Sequence, residues 1–136
     1  QDGKKVAVKM GSYGIGVSRL VGATIEANYN NHIMKWPESI APFDVVIIPN
    51  FNKNNKENLL KGEKIYKELK KQNIDVLLDD VEENMSNKFK KHDLIGVPYQ
   101  IIIGSKSESD KFEFKEMNLN SEMLSLENIK SQLKKK

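Results

Sequence analysis

The sequence predicts an α/β fold: a three-layer α/β/α domain with a mixed, mostly parallel sheet over residues 43–136, preceded by a strand–helix segment and linker over residues 1–42. Three observations predict it. The uninterrupted run Val45-Val-Ile-Ile48 has the composition of a strand covered on both faces. Two strand–helix–strand units follow one another up to Ile103, and consecutive units of this kind build a parallel sheet with right-handed crossovers. Before them, Gly11, Gly14 and Gly16 separate an alternating apolar run from a helical one.

Val6 and Val8 alternate with Ala7 and Lys9, the pattern of a strand with one buried face. A helix is expected from about Val17 to Asn28, because Val17, Val21 and Ile25 fall at four-residue steps with Leu20 beside them. Turn-forming residues end it, and two prolines mark a linker from His32 to Pro42. Residues Lys56 to Gln72 place Leu59, Tyr66 and Leu69 on one stripe. Ile74 to Leu78 is the second strand, and Ser86 to Ile95 a short helix stopped by Gly96 and Pro98. Tyr99 to Ile103 is the third strand. After a turn over 104–110, the alternation Phe112-Glu-Phe114-Lys115 predicts an antiparallel strand beside it. Leu126, Ile129 and Leu133 stripe a last helix.

Composition excludes several classes. With no cysteine, the chain has no disulfide and no thiolate metal site, which fits a reducing compartment. His32 and His92 lack ligand spacing, so no metal is expected. No run approaches the roughly 20 apolar residues of a membrane span, and no secretory leader opens the chain. Net charge is +3, and residues 43–136 carry 17 Lys against 16 Asp and Glu. That balance is not the footprint of a tight, sequence-independent nucleic-acid binder, whose affinity comes from many phosphate contacts.

One arginine stands among 22 basic residues, and it is Arg19, just after the glycine-rich turn. Arginine grips phosphate or carboxylate with a planar fork that lysine does not have. Glycines that admit a ligand to the backbone, a helix start and one arginine suit a nucleotide phosphate. The spacing is neither that of a P-loop nor that of a dinucleotide fold, whose third glycine is missing.

A second site is expected beyond the carboxyl ends of the parallel strands, where ligands gather in open sheets. That edge holds Asn50 and Phe51, then Asp79 to Asn87, then Gly104 and Ser105. Its carboxylates and amides suit unpaired base edges, and Lys88 suits phosphate or guanine. Asp80 is either such an acceptor or a helix cap. Phe89 is either a stacking surface or core, and since helix neighbours point about 100° apart, Phe89 is expected inside and Lys88 in contact. The Asp79-Asp80 pair also suggests a phosphoacceptor receiver, but such domains have five parallel strands and this module offers three.

The stretch MGSYGIGVSRLVGATIE, Met10 to Glu26, resembles the third signature motif of class II aminoacyl-tRNA synthetases in its bacterial-type prolyl-tRNA synthetase form. The resemblance continues through WPESIAPFDVVIIP (Trp36 to Pro49), NIDVLLDD (Asn73 to Asp80) and KFKKHDLIGVPYQIIIG (Lys88 to Gly104), in the family's order. It implies that residues 1–42 are the end of a catalytic domain with its linker and that 43–136 is an anticodon-binding domain. Arg19 then serves as the catalytic residue that binds the triphosphate of ATP with its Mg²⁺, and Gly14 and Gly16 line the adenosine pocket.

The anticodon-binding residues implied are Asp80, Glu83, Lys88 and Phe89, with Asp79 also matching the family pattern. Val81, Asn84, Met85 and Ser86 depart from its two arginines and its Pro-Gly. The partners implied are proline tRNA, ATP and proline, in a cytoplasmic homodimer with no membrane. The first two class II motifs are absent, so the expectation is the C-terminal part of a longer ligase that does not catalyse alone. The alternative is a non-catalytic accessory protein that reuses the module for nucleic-acid or protein binding.

Overall fold

The computed structural model describes residues 3–30, 33–104, 107, 110–117 and 119–134; His32 and Ser105 lie outside the described residues. The helix expected near the start forms as α1, Val17–Asn28, opened by Gly16. The strand expected at Val6 and Val8 does not form. Residues 4–16 take no regular structure, with Val8 91% exposed. A strand needs a neighbour to pair its backbone, and the described residues supply none there.

After α1 comes a small antiparallel pair that the sequence pattern did not reveal, β1 (Tyr29–Asn30) and β2 (Ile33–Met34). The expected elements then follow in order: β3 (Val45–Pro49), α2 (Glu57–Lys70), β4 (Val76–Leu78), α3 (Met85–Ile95), β5 (Tyr99–Ile103) and β6 (Lys111–Glu116). A further strand, β7 (Glu122–Ser125), precedes α4 (Leu126–Leu133). The sheet runs β4-β3-β5-β6-β7, with β3 parallel to β4 and β5, and β6 antiparallel to β5 and β7.

Successive residues of β3 point to opposite faces, and both faces are covered. Val45 and Ile47 join Ile65 and Leu69 of α2, Ile129 and Leu133 of α4, and Ile101, Ile103, Phe112 and Phe114 in the larger core. Val46 and Ile48 meet Val97, Met85 and Phe89 on the α3 side. This makes three layers, helices α2 and α4 on one face and α3 on the other. Each fully buried aliphatic side chain contributes about 1.5–3 kcal/mol.

The ends of α3 fix its direction. Asn84, not Asp80, is the N-cap, its side chain accepting from Ser86 N at 2.9 Å. Gly96 closes the helix at φ 79°, the left-handed conformation glycine adopts without strain. A Cβ there would stand 2.5 Å from the Met34 carbonyl oxygen, so the linker passes directly over the helix end. Trp36 N donates to Gly96 O at 3.3 Å and Trp36 Nε1 to Ile95 O at 2.8 Å. Lys35 pairs with Glu116 at 3.0 Å, and Tyr99 donates its hydroxyl proton to Glu38 at 2.9 Å. Lys35, Trp36 and Glu38 thus bond the linker to the sheet domain.

Candidate functional site

Parallel pairing of β4, β3 and β5 brings the carboxyl ends of three strands together, at Leu78, Pro49 and Ile103. Asp79 N still reaches Ile47 O at 3.0 Å, and beyond that bond the chain after β4 leaves the ladder. The loop over 79–84 and the first turns of α3 therefore sit at the strand ends, where the sequence placed them.

Asp79 turns inward. It is 4% exposed and accepts from His92 Nε2 at 2.7 Å, with Lys91 Nζ at 2.9 Å and Lys88 Nζ at 3.6 Å from its carboxylate. Val81 N adds a bond at 3.3 Å. Burial alone would raise its pKa, but the bonds from Lys91 and His92 and the charge of Lys88 outweigh this and hold it below the ordinary value. Burial pushes Lys88 down, with Asp79 opposing. Burial likewise pushes His92 down despite Asp79, which leaves the ring neutral at pH 7. Lys91 is raised, chiefly by its bond to Asp79.

Asp80, one residue on, is exposed and lines a shallow cleft of ≈ 270 Å³ with Leu77, Val81, Lys91 and Ile95. Asp79 borders the same cleft but is buried, so of the two aspartates Asp80 is the exposed one. Glu83 is half-buried and accepts from Lys91 at 3.4 Å.

Lys88 departs most from expectation. It is 0% exposed, and its ammonium donates to Pro49 O at 3.1 Å and Asp79 O at 3.2 Å while lying 4.6 Å from the Phe51 ring centre. It offers no charge to a ligand outside. The 100° between neighbours did not turn it outward, because the buried stripe of a packed helix is itself at least that wide. Met85 and His92 flank it at the three- and four-residue steps that could have signalled an inward lysine. Phe89 packs against Val46, Ile48 and Val97 and forms one wall of a ≈ 330 Å³ cleft with Ile102, Glu113 and Lys115.

The glycine turn and Arg19 lie elsewhere in the chain and do not join this site. Gly14, Gly16 and Arg19 are all exposed, and Arg19 stands in the first turn of α1 with its N–H on Gly16 O at 2.9 Å. Among the described residues Arg19 has no ion-pair partner. The turn offers donors to a phosphate, while no cluster of carboxylates and histidines able to hold a metal occurs among the described residues. Nor is any helix among them long and apolar enough to cross a membrane.

Comparison with known proteins places this geometry. Residues 44–136 match the family model described as an anticodon binding domain. The chain is 55% identical over 129 residues to a proline–tRNA ligase of Pelagibacter ubique, covering 93% of this chain and 29% of the relative. It is 50% identical over 116 residues to the proline–tRNA ligase of Rickettsia canadensis, with 85% and 26% covered. With that of Parvibaculum lavamentivorans it shares 50% over 105 residues, covering 77% and 24%. The chain spans about a quarter of the length of these relatives.

Proposed function

The chain belongs to the family of anticodon-binding domains, and from that premise we propose that it is the part of a proline–tRNA ligase that reads the anticodon loop of proline tRNA. The observation that carries the reading is the likeness to the proline–tRNA ligase of Pelagibacter ubique across 93% of the chain, which takes in both the glycine turn and the sheet domain. The parent enzyme activates proline with ATP and transfers it to the tRNA, working as a cytoplasmic homodimer. Residues 1–42 are the end of its catalytic domain and linker, and 43–136 the reading domain.

In this reading Asp80 is the exposed acceptor for a base edge, and Glu83, shared with Lys91, is a second one. Phe89 and Lys88 act from within, by holding the surface that meets RNA. Arg19 grips ATP phosphate in the assembled enzyme, with Gly14 and Gly16 admitting the nucleotide and Mg²⁺ arriving with it. The chain alone does not catalyse, because Arg19 is exposed in the first turn of α1 and no other element among the described residues closes over it.

The test is a titration of this chain with an anticodon stem-loop of proline tRNA and with hairpins of altered anticodon. Binding is expected to be modest, since residues 43–136 carry 17 Lys against 16 acidic residues. It should weaken when the anticodon is changed. Equal affinity for every hairpin would leave only phosphate attraction and sink the reading.

A further inference from the structure

We propose that Lys88 is a positioning residue: its buried ammonium fastens the loop after β3 to the loop after β4, so that residues 50–55 and 79–84 meet RNA as one surface. This rests on the tRNA-reading function proposed above. The parallel ladder between β3 and β4 ends at Ile47 and Leu78. Past that point the two chains diverge, and Lys88 Nζ spans them through Pro49 O at 3.1 Å and Asp79 O at 3.2 Å. The Phe51 ring, 4.6 Å away, covers the ammonium from the first loop.

A core that needed only volume here would be served by methionine. An ammonium taken fully out of water costs free energy unless its donors and charge are satisfied. Here they are. Two carbonyls accept hydrogen bonds from it and the Asp79 carboxylate lies 3.6 Å away, itself held by Lys91 and His92. What the arrangement adds over methionine is a fixed distance between two loops.

A second bond joins the same loops at the surface, where Lys53 N donates to Glu82 Oε1 at 3.2 Å. The turn between them is shaped by Asn52 Oδ1, which accepts from Asn54 N and Asn55 N, both at 2.9 Å. An amide-rich turn is thereby set beside Glu82 of the second loop. Amides donate and accept, as base edges do, and a surface held rigid in advance loses less entropy on binding.

Lys88→Met in the 136-residue chain tests this, since the stem volume stays and the ammonium goes. Two quantities are read: the ratio of affinities for cognate and altered-anticodon hairpins, and the hydrogen exchange of the Lys53 amide. Asp79 keeps its bonds from Lys91 and His92, so the fold is expected to stand. The affinity ratio should fall about threefold or more, and Lys53 exchange should quicken about tenfold, with core amides such as Ile101 unchanged. A lysine that was merely structural would lower the melting temperature and leave the ratio alone.

A folded variant with an unchanged ratio overturns the proposal. If Lys88→Met does not fold, Lys88→Met with Asp79→Asn removes both charges and carries the same measurements. If the wild-type chain itself shows no anticodon preference, the tRNA-reading function falls. Lys53 exchange then decides the clamp alone, and unchanged exchange overturns it.

Discussion

His92 Nε2 lies 2.7 Å from Asp79 Oδ2, with His92 2% and Asp79 4% exposed. The neutral ring donates Nε2–H to an ionised carboxylate, and its Nδ1 has no hydrogen-bond partner among the described residues. Protonating that ring in place would bury an unsatisfied donor.

Acid should therefore destabilise the fold earlier than its carboxylates alone would require. Burial lowers His92 below 6.5 in the folded state, so below 6.5 the unfolded chain takes up the proton first. Stability is full above 6.5 and is lost as pH falls through the folded value. Asp79, lowered from 3.8, adds a second loss below 3.8 in the same direction. Urea midpoints should decline in both windows, and His92→Leu should abolish the upper one. A wild-type profile flat down to about pH 4 would contradict the assignment.

Phe89→Ala should cost about 2 kcal/mol, less than a fully buried phenylalanine, because the ring packs on Val46, Ile48 and Val97 but is half-buried. Stem-loop affinity measured well below the melting temperature should then change little. A large affinity loss at unchanged stability would make Phe89 a stacking platform instead.

Gly96→Ala should destabilise by about 1–3 kcal/mol from the left-handed backbone alone. The added methyl also meets the Met34 carbonyl, so the linker should lift from α3. Trp36 is the single tryptophan and bonds to that helix end, so its emission should shift towards that of a solvated indole. Unchanged emission and stability would show that the linker contact is dispensable.

Arg19→Lys, made in a full-length ligase carrying this segment, should slow proline activation by some tens of fold. Losing a charge-assisted forked contact costs on the order of 2–3 kcal/mol. Pyrophosphate exchange within about twofold of wild type would remove Arg19 from the phosphate site.

The sheet domain was legible because its strands are apolar runs and its helices carry regular stripes. Val45 to Ile48 and Ile101 to Ile103 allow no other placement than inside. β7 escaped notice because Glu122-Met-Leu-Ser125 has no clean alternation, and it forms by pairing with β6. The strand at Val6 and Val8 was legible but unrealised, since alternation states a preference and pairing needs a partner. At the site, the sequence left Asp80 open between helix cap and acceptor, and the structure gives the cap to Asn84 and leaves Asp80 exposed. Lys88 did not emerge outside as expected, because residue type argues for solvent while the stripe of α3 argues for the core. Distances to two backbone carbonyls are beyond what a sequence pattern carries.

Helix α1 has no buried residue, and its Val17, Leu20, Val21 and Ile25 face solvent. Twelve residues of helix are marginal in water without packing. In calorimetric terms the cooperative unit is smaller than the chain. The heat-absorption peak should report the sheet domain alone, so its enthalpy divided by all 136 residues should fall below the usual ~0.7 kcal/mol per residue. Helical ellipticity from α1 should drain away gradually on warming, before the peak begins.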